Sequence, residues 1–272
     1  MDLDGFDIYE ETGLFYEQFE ELLTAVGPSL KLPRAVSSPR RIVSASLAPA
    51  TRLLLLLCYF REAGTFRRLV NIFHVSKAFI SRDIAHILPK LHCVLDSIRW
   101  PDQWIPSHFK ATSAAIDCTP HFRRRVHPQQ GDWYRGDKHG HFMNAQVVCS
   151  LWGEIYNVQL LQGHNNDQGC FNITKVKQLL EALQLHWLAD NGYSHHRLVV
   201  PDDSQAPSWN HKQKGLRSIV EVVIGLAKTN RIAAKVFTLS PEKQALVLMV
   251  IYQLTNMSLK RYPLRRLSTI NE

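Results

Sequence analysis

The sequence predicts a mixed α/β fold in which helices cover a sheet, with a purely helical segment in front of it. Three observations carry this. Up to residue 95 the apolar residues recur at helical spacing. Beyond DSIRWPDQWIPSHFK, a Pro- and Trp-rich stretch over residues 96–110, the period changes to the alternation of strands. Two long helical patterns then close the chain, so the order is strands, helix, strand, helices, the order of a sheet flanked by helices.

The totals bound what such a chain can be. Its 272 residues, 45% of them hydrophobic, suffice for one large domain or a small domain joined to a medium one. A formal net charge of +8 favours a polyanionic partner, nucleic acid or an anionic membrane surface. The longest apolar run, LLLLLCYF from Leu53 to Phe60, is far short of the roughly 20 residues that span a bilayer, so no membrane partner is expected. The opening MDLDGFDIYEE is acidic and lacks the form of a signal peptide, which sets the expectation against secretion. Five cysteines, at 58, 93, 118, 149 and 170, show no close pairing. Reduced thiols are expected rather than a disulfide framework or a cysteine zinc site.

Residues 1–46 hold one amphipathic helix, LFYEQFEELLTAV, and a stretch expected as linker, LPRAVSSPRR. Residues 47–95 are helical: ATRLLLLLCYFREAG leads into TFRRLVNIFHVSKAFISRDIAHILPKL, which has the form of a helix-turn-helix. Phe66, Leu69, Val70 and Phe73 turn inward, His74 and Val75 make the turn, and Ser76 caps a second helix that buries Ile80, Ile84, Ile87 and Leu91. Lys77, Ala78, Ser81 and Arg82 are left outward, small and basic residues that suit a major groove. A hairpin that only packs on its neighbour fits the same pattern.

Residues 96–112 are the expected linker and residues 113–260 the second domain. SAAIDCT, HFMNAQVVCSLW and IYNVQLLQ are expected as three strands, the last two joined at Gly153 and Glu154. GCFNITKVKQLLEALQL is expected as a helix, HWLADNGY and RLVVP as short strands, and KGLRSIVEVVIGLAKTN and SPEKQALVLMVIYQLTNMSLKR as the closing helices. Residues 261–272 form a basic tail, and KRYPLRR suits a nuclear address, a phosphate contact or a solvated end.

Asp117 ends the apolar run SAAI and Asp190 ends HWLA, each at the carboxyl end of an expected strand, where open α/β sheets bind ligands. Glu221 lies in RSIVEVVIGLAK, a helix apolar on nearly every side, where an unpaired carboxylate costs several kcal/mol. Lys214, Arg217, Glu221 and Lys228 share its one polar stripe. Two arrangements follow. Three acids converging on a cleft would repel unless cations bridged them, and their hard oxygens suit two magnesium or manganese ions about 4 Å apart, serving in-line attack on phosphate. Alternatively Glu221 pairs with Arg217 one turn earlier, worth a few tenths of a kcal/mol. Periodicity leaves both open.

AIDCT, LADNGY and WNHKQKGLRSIVEVVIGLAK, in this order and with GHNND between the first two, resemble the signature blocks of DDE transposases of the Harbinger (PIF) type. The likeness runs from roughly Ser113 to Lys260. It implies a ribonuclease-H-like core and a catalytic, metal-binding triad of Asp117, Asp190 and Glu221, with Arg217 as the arginine that precedes the glutamate. It also implies a divalent cofactor, magnesium or manganese, as two ions. Asp167 in GHNND matches an acidic position often present in the family, with no role assigned. Cys118 stands where glycine is common, and EVVIG replaces a stretch that more usually contains an aromatic residue. The activity implied is DNA cleavage and strand transfer at transposon ends. The implied partners are double-stranded DNA, an accessory DNA-binding protein and further copies of the chain, in the nucleus of a eukaryote or the cytoplasm of a bacterium. Two rivals stand beside this: a domesticated descendant that binds DNA or protein without cutting, and an unrelated ribonuclease-H-like nuclease.

Other residues have weaker patterns. In HFRRRVHPQQ, Arg123, Arg124 and Arg125 are placed to track a phosphate backbone, with Arg217 and Lys228 nearer the acids, although a solvated loop has the same composition. Thirteen histidines include no set with zinc spacing. Trp133, Tyr134 and Trp209 suit either stacking on bases or anchoring a core.

Overall fold

The computed structural model describes residues 7–30, 47–63 and 66–270, and LPRAVSSPRR lies outside them. The front of the chain is α1 (Ile8–Thr12), α2 (Tyr16–Leu30), α3 (Pro49–Glu62), α4 (Phe66–Phe73) and α5 (Lys77–Val94). α3 is buried from Thr51 to Cys58, as its unbroken run of leucines requires. Its one charged residue in that span, Arg52, donates from Nε to Asp83 Oδ1 at 2.8 Å and from Nη1 to the carbonyl of Leu30, tying α2, α3 and α5 together. The turn between α4 and α5 falls where the sequence puts it: Ser76 Oγ accepts the Phe79 N–H at 3.1 Å, and Ile80, Ile84, Ile87 and Leu91 are buried. Lys77, Ala78, Ser81 and Arg82 are exposed.

There follow β1 (Thr112–Phe122), α6 (Gln130–Trp133), β2 (Tyr134–Arg135), β3 (Gly140–Cys149), β4 (Ile155–Gln162), α7 (Asp167–Ile173), α8 (Val176–Ala182), β5 (His186–Leu188) and β6 (Leu198–Val199). The chain then closes with α9 (Pro207–Thr229), α10 (Arg231–Ala234), α11 (Pro241–Arg261) and α12 (Leu267–Ile270). Among the described residues the sheet has six strands in the order β2-β3-β1-β5-β6, with β4 also paired to β3. β1, β3 and β4 form an antiparallel meander, while β1, β5 and β6 run parallel. The β3–β4 turn needs Gly153, whose φ of +108° disfavours any side chain. This is the ribonuclease-H-like mixed sheet flanked by helices that the sequence predicts.

The sheet is covered on both faces, which is why its central strands read as nearly continuous apolar runs. Ala115, Ala145, Val147 and Cys149 join the core of α9 and α11. Ala114, Ile116 and Val148 join Phe171, Val176 and Leu180 of α7 and α8 on the other face.

Several expectations are corrected. Residues 96–111 are irregular but packed, and Thr112 already belongs to β1: Trp100 and Trp104 stack on Trp187 at 5.8 and 5.5 Å, and one continuous core joins the front helices to α9 and α11. Proline and tryptophan end the helix there, but the large apolar rings lose their water only against the sheet. The single helix expected over GCFNITKVKQLLEALQL is two, because Thr174 is extended and its hydroxyl donates to Gln146 Oε1 at 2.9 Å. Of HWLADNGY only His186–Leu188 is strand. α9 starts seven residues before the expected Lys214, with Pro207 in its first turn. The basic end is docked rather than free, since Arg265 donates to the carbonyls of Gly215 and Leu216 at 2.6 and 3.2 Å.

Candidate active site

β1 and β5 pair in parallel with Ala115 opposite Leu188. Two residues further along each segment, Asp117 and Asp190 stand level at the carboxyl end of that pairing. β1 itself continues to Phe122 against β3, so Asp117 does not end its strand as expected; it ends only the parallel partnership. By alternation its side chain shares the face of Ala115, against which α9 packs. Gln213 of α9 donates to the carbonyls of Ala189 and Val199, both at 2.9 Å, and so clamps the end of β5 directly before Asp190. Asp190 Oδ1 accepts the Gly192 N–H at 2.9 Å. A Cβ on Gly192 would meet Asp190 Oδ1 at 3.1 Å and Asp167 Oδ2 at 3.3 Å, so these two acids close on the glycine from both sides. Asp167 opens α7, whose N-cap Asn166 accepts the Gly169 N–H at 2.7 Å.

This crowding has an electrostatic consequence. Burial pushes the Asp117 carboxyl up to about 7, with Asp190 and Asp167 adding to the rise. The Cys118 N–H, 2.8 Å from Oδ1, and the charge of Arg217 oppose it. Burial and then Asp190 raise Asp167 as well, against Arg135, 4.0 Å away, and Lys138. Lys228 donates to Thr119 Oγ1 at 2.5 Å; burial, then Lys138, lowers its pKa while Asp117 raises it.

Glu221 lies on the outside of α9. Leu216, Ile219, Val220, Val223, Ile224 and Ala227 are buried, but Val222 and Leu226 are 45% and 37% exposed, so the helix is apolar all round without being buried all round. Of the two arrangements left open for Glu221, the structure shows the ion pair: the carboxylate is about half exposed, and its Oε1 takes Arg217 Nη2 at 2.5 Å. Arg217 faces both ways: its charge acts on Asp117 while its side chain holds Glu221, and its Nε is buried with no hydrogen-bond partner. The structure therefore brings Asp117, Asp190 and Asp167 together and connects Glu221 to Asp117 through Arg217. Among the described residues no group of three His, Cys, Asp or Glu is arranged to hold a metal ion.

The flanking basic residues divide. Arg124 and Arg125 are exposed. Arg123, expected beside them on a phosphate backbone, is 4% exposed: it donates to Gln244 at 2.8 Å and covers the Trp133 ring at 4.5 Å. Strand alternation turns it inward, which corrects its DNA-contact assignment. Trp133 is buried beneath it, and Trp209 packs on Phe109 at 5.3 Å, so both are anchors; Tyr134 is exposed beside His141. Gln213, Thr119, Arg135 and Lys138 were not singled out in the sequence. Only Gln213 carries a signal there, since it falls in register with Leu216, Val220 and Val223 on the apolar stripe, where a polar side chain requires a partner.

A family model described as DDE superfamily endonuclease matches residues 116–256, just over half of the chain and every acid of the site. Comparisons with curated proteins and with solved structures find no match.

Proposed function

The chain belongs to the family of DDE superfamily endonucleases, and on that premise we propose that it is a metal-dependent DNA endonuclease or strand transferase of the Harbinger type, cutting at transposon ends by in-line attack of water or a 3′-hydroxyl on phosphate. The observation that carries this reading is the level placement of Asp117 and Asp190 at the end of a parallel strand pair, against the helix that bears Arg217 and Glu221. The donor set supports a divalent ion for two of the three expected ligands. Asp117 is a partly buried carboxyl beside Asp190 and Asp167, and a hard cation would relieve what raises its pKa. Asp117 and Asp190 would hold magnesium or manganese, with Glu221 as the third ligand once it leaves Arg217. Bound there, the metal supplies Lewis-acid activation of the attacking oxygen and of the phosphate.

The chain's own groups have the remaining tasks. Arg217, with its unused Nε, and Lys228, held on Thr119, are positioned for a phosphate beside the acids. The exposed Lys77, Ser81 and Arg82 at the start of α5 are assigned to the DNA groove, and Arg124 and Arg125 to the backbone. A second copy of the chain, an accessory DNA-binding protein, and a nuclear site in a eukaryote or a cytoplasmic one in a bacterium belong to the same proposal. One observation favours a second reading, a DNA- or protein-binding descendant without cleavage: Glu221 is already engaged by Arg217, and no three-ligand group is assembled among the described residues.

Cleavage of terminal-repeat DNA with magnesium, by wild type and Glu221→Gln, separates them. Under the first reading the variant keeps DNA binding and loses more activity than the about 10–100-fold that loss of an outer metal partner costs. Nearly unaltered cleavage would leave Glu221 as no more than the partner of Arg217. Wild type that binds DNA and never cleaves it is the second reading.

A further inference from the structure

Cys118 and Cys170 have no part in the proposed chemistry, yet they sit between its acids. Cys118 directly follows Asp117, and Cys170 lies on α7 one turn after Asp167. The β1–β3 register sets Cys118 opposite Gln146 and Pro120 opposite Asn144, so these four side chains share one face of the sheet. α7 lies on that face. Asn144 Nδ2 approaches Cys170 Sγ at 3.9 Å, and Thr174, just past the end of α7, bonds Gln146. The two thiols are near enough for each to act on the other's proton, raising the Cys118 pKa and lowering that of Cys170. Cys58, Cys93 and Cys149 are placed differently: on α3, on α5, and on β3 opposite Ala115, towards α9.

We propose that Cys118 and Cys170 are a modification site: an oxidisable pair that a peroxide converts to a disulfide, reversibly altering the acidic cleft. Cys118 is partly exposed and Cys170 is buried, which sets the order of events. The Cys118 sulfur attacks one oxygen of hydrogen peroxide, the O–O bond breaks, and the released hydroxide takes the thiol proton as water, leaving a sulfenic acid. The Cys170 sulfur then attacks that sulfur, the S–O bond breaks, and a second water leaves with the Cys170 proton. Two thiols give up two electrons, and one peroxide becomes two waters. A disulfide holds its sulfurs about 2 Å apart, well inside the contact distance of two thiols. Closing it draws α7 towards β1 and so moves Asp167 and Asp117 relative to each other. The bond does not depend on the proposed function, whereas its effect on cleavage rests on that reading.

The test oxidises the folded full-length chain with hydrogen peroxide, alkylates the remaining thiols, and maps linked peptides by mass spectrometry. The expected result is a link between the peptides carrying Cys118 and Cys170, removed by dithiothreitol and absent from Cys118→Ser and from Cys170→Ser, with Cys118→Ala repeating the result if the serine variant does not fold. Because Cys149 and Cys170 share one tryptic peptide, Cys149→Ser must keep the link. No link in wild type, or a link that persists in Cys170→Ser, overturns the proposal. In parallel, oxidised wild type should lose magnesium-dependent cleavage by about tenfold or more, the size expected when the surroundings of a metal site shift, and Cys118→Ser should not. A linked protein that cleaves as before overturns the regulatory effect. Reduced wild type that never cleaves counts against the proposed function instead, and the peptide link alone then decides the modification.

Discussion

In the helical front, Arg52 and Asp83 have side chains 1% and 4% exposed and neutralise each other, and Arg52 also satisfies the carbonyl of Leu30. At the carboxyl end of the β1–β5 pairing, three aspartates crowd one another; Arg217 acts on Asp117 and is itself engaged by Glu221, while Arg135 and Lys138 act on Asp167. The residue types are the same and the consequences opposite. A buried charge matched one for one holds helices together. Partly buried acids crowded by other acids, as Asp117 and Asp167 are by Asp190, hold their protons more tightly, and they form a place that a cation or phosphate chemistry can use. The difference teaches that burial of a charge is not itself a functional signal; crowding of like charges is.

The comparison breaks first, and most severely, if the front pair is not structural. Arg52→Met alone should destabilise the protein by about 3–5 kcal/mol by stranding Asp83, while Arg52→Met with Asp83→Leu should recover most of the loss. Denaturant melts of the three proteins check this, and equal losses in the single and double variants would refute the matched-pair account.

The opposite sign is expected at the sheet. Asp117 has its carboxyl raised to about 7 in the folded chain, so the folded state holds its proton more tightly than the unfolded state. Stability from this group is fully present below pH 3.8 and declines as pH rises to about 7, by about 4 kcal/mol at most. Without metal, Asp117→Asn should therefore melt higher than wild type at pH 8 and show little advantage at pH 4, while cleavage is lost at both. Melting curves that separate by the same amount at every pH would exclude the crowded-acid description.

Between these regions lies His121, fully buried, with Nδ1 against the carbonyl of Ala233 at 2.7 Å and Nε2 against the Tyr252 hydroxyl at 3.1 Å. Burial lowers its pKa to about 4, with Lys228 adding to the drop. Here the unfolded state binds the proton more tightly. Stability is whole above pH 6.5 and lost as pH falls towards 4, by about 3 kcal/mol. His121→Gln should flatten that acid limb in a melting series, even if it lowers stability near pH 7.

The smallest effects separate DNA binding from chemistry. Removing the charges of Lys77 and Arg82 should weaken DNA binding and reduce its salt dependence by about one counterion per lost phosphate contact, leaving the melting curve in place. An unchanged salt slope would make α4 and α5 a packing hairpin. Glu221→Gln should lower stability by only a few tenths of a kcal/mol, because its ion pair with Arg217 is about half exposed.

Much of this architecture was legible along the chain. Ser76 as the cap of α5, the apolar positions of that helix, the β3–β4 hairpin and the ranges of α5, β4 and α11 follow from local spacing, since side-chain period and cap chemistry act within a few residues. The position of Asp117 and Asp190 was readable as a strand-end pair, though the strand that ends is the parallel partnership and not β1. The inward turn of Arg123, the packing of Trp100 and Trp104 on Trp187, and the clamp of Gln213 on β5 were not readable as such, because each depends on a partner more than 20 residues away.

The sequence by itself determined the element types, the charge surplus and which acids are available, because these depend on composition and short-range period. Only the tertiary structure decided how those acids are shared. A helical wheel places Glu221 and Arg217 on one stripe but cannot say whether sheet or solvent covers it. Packing of α9 on β1 and β5 turned that stripe to the border between the two, where Arg217 reaches inward to the charge of Asp117 and outward to Glu221. Side chains adjacent on a helix share a direction, but the environment they meet is supplied by whatever the rest of the chain packs against them.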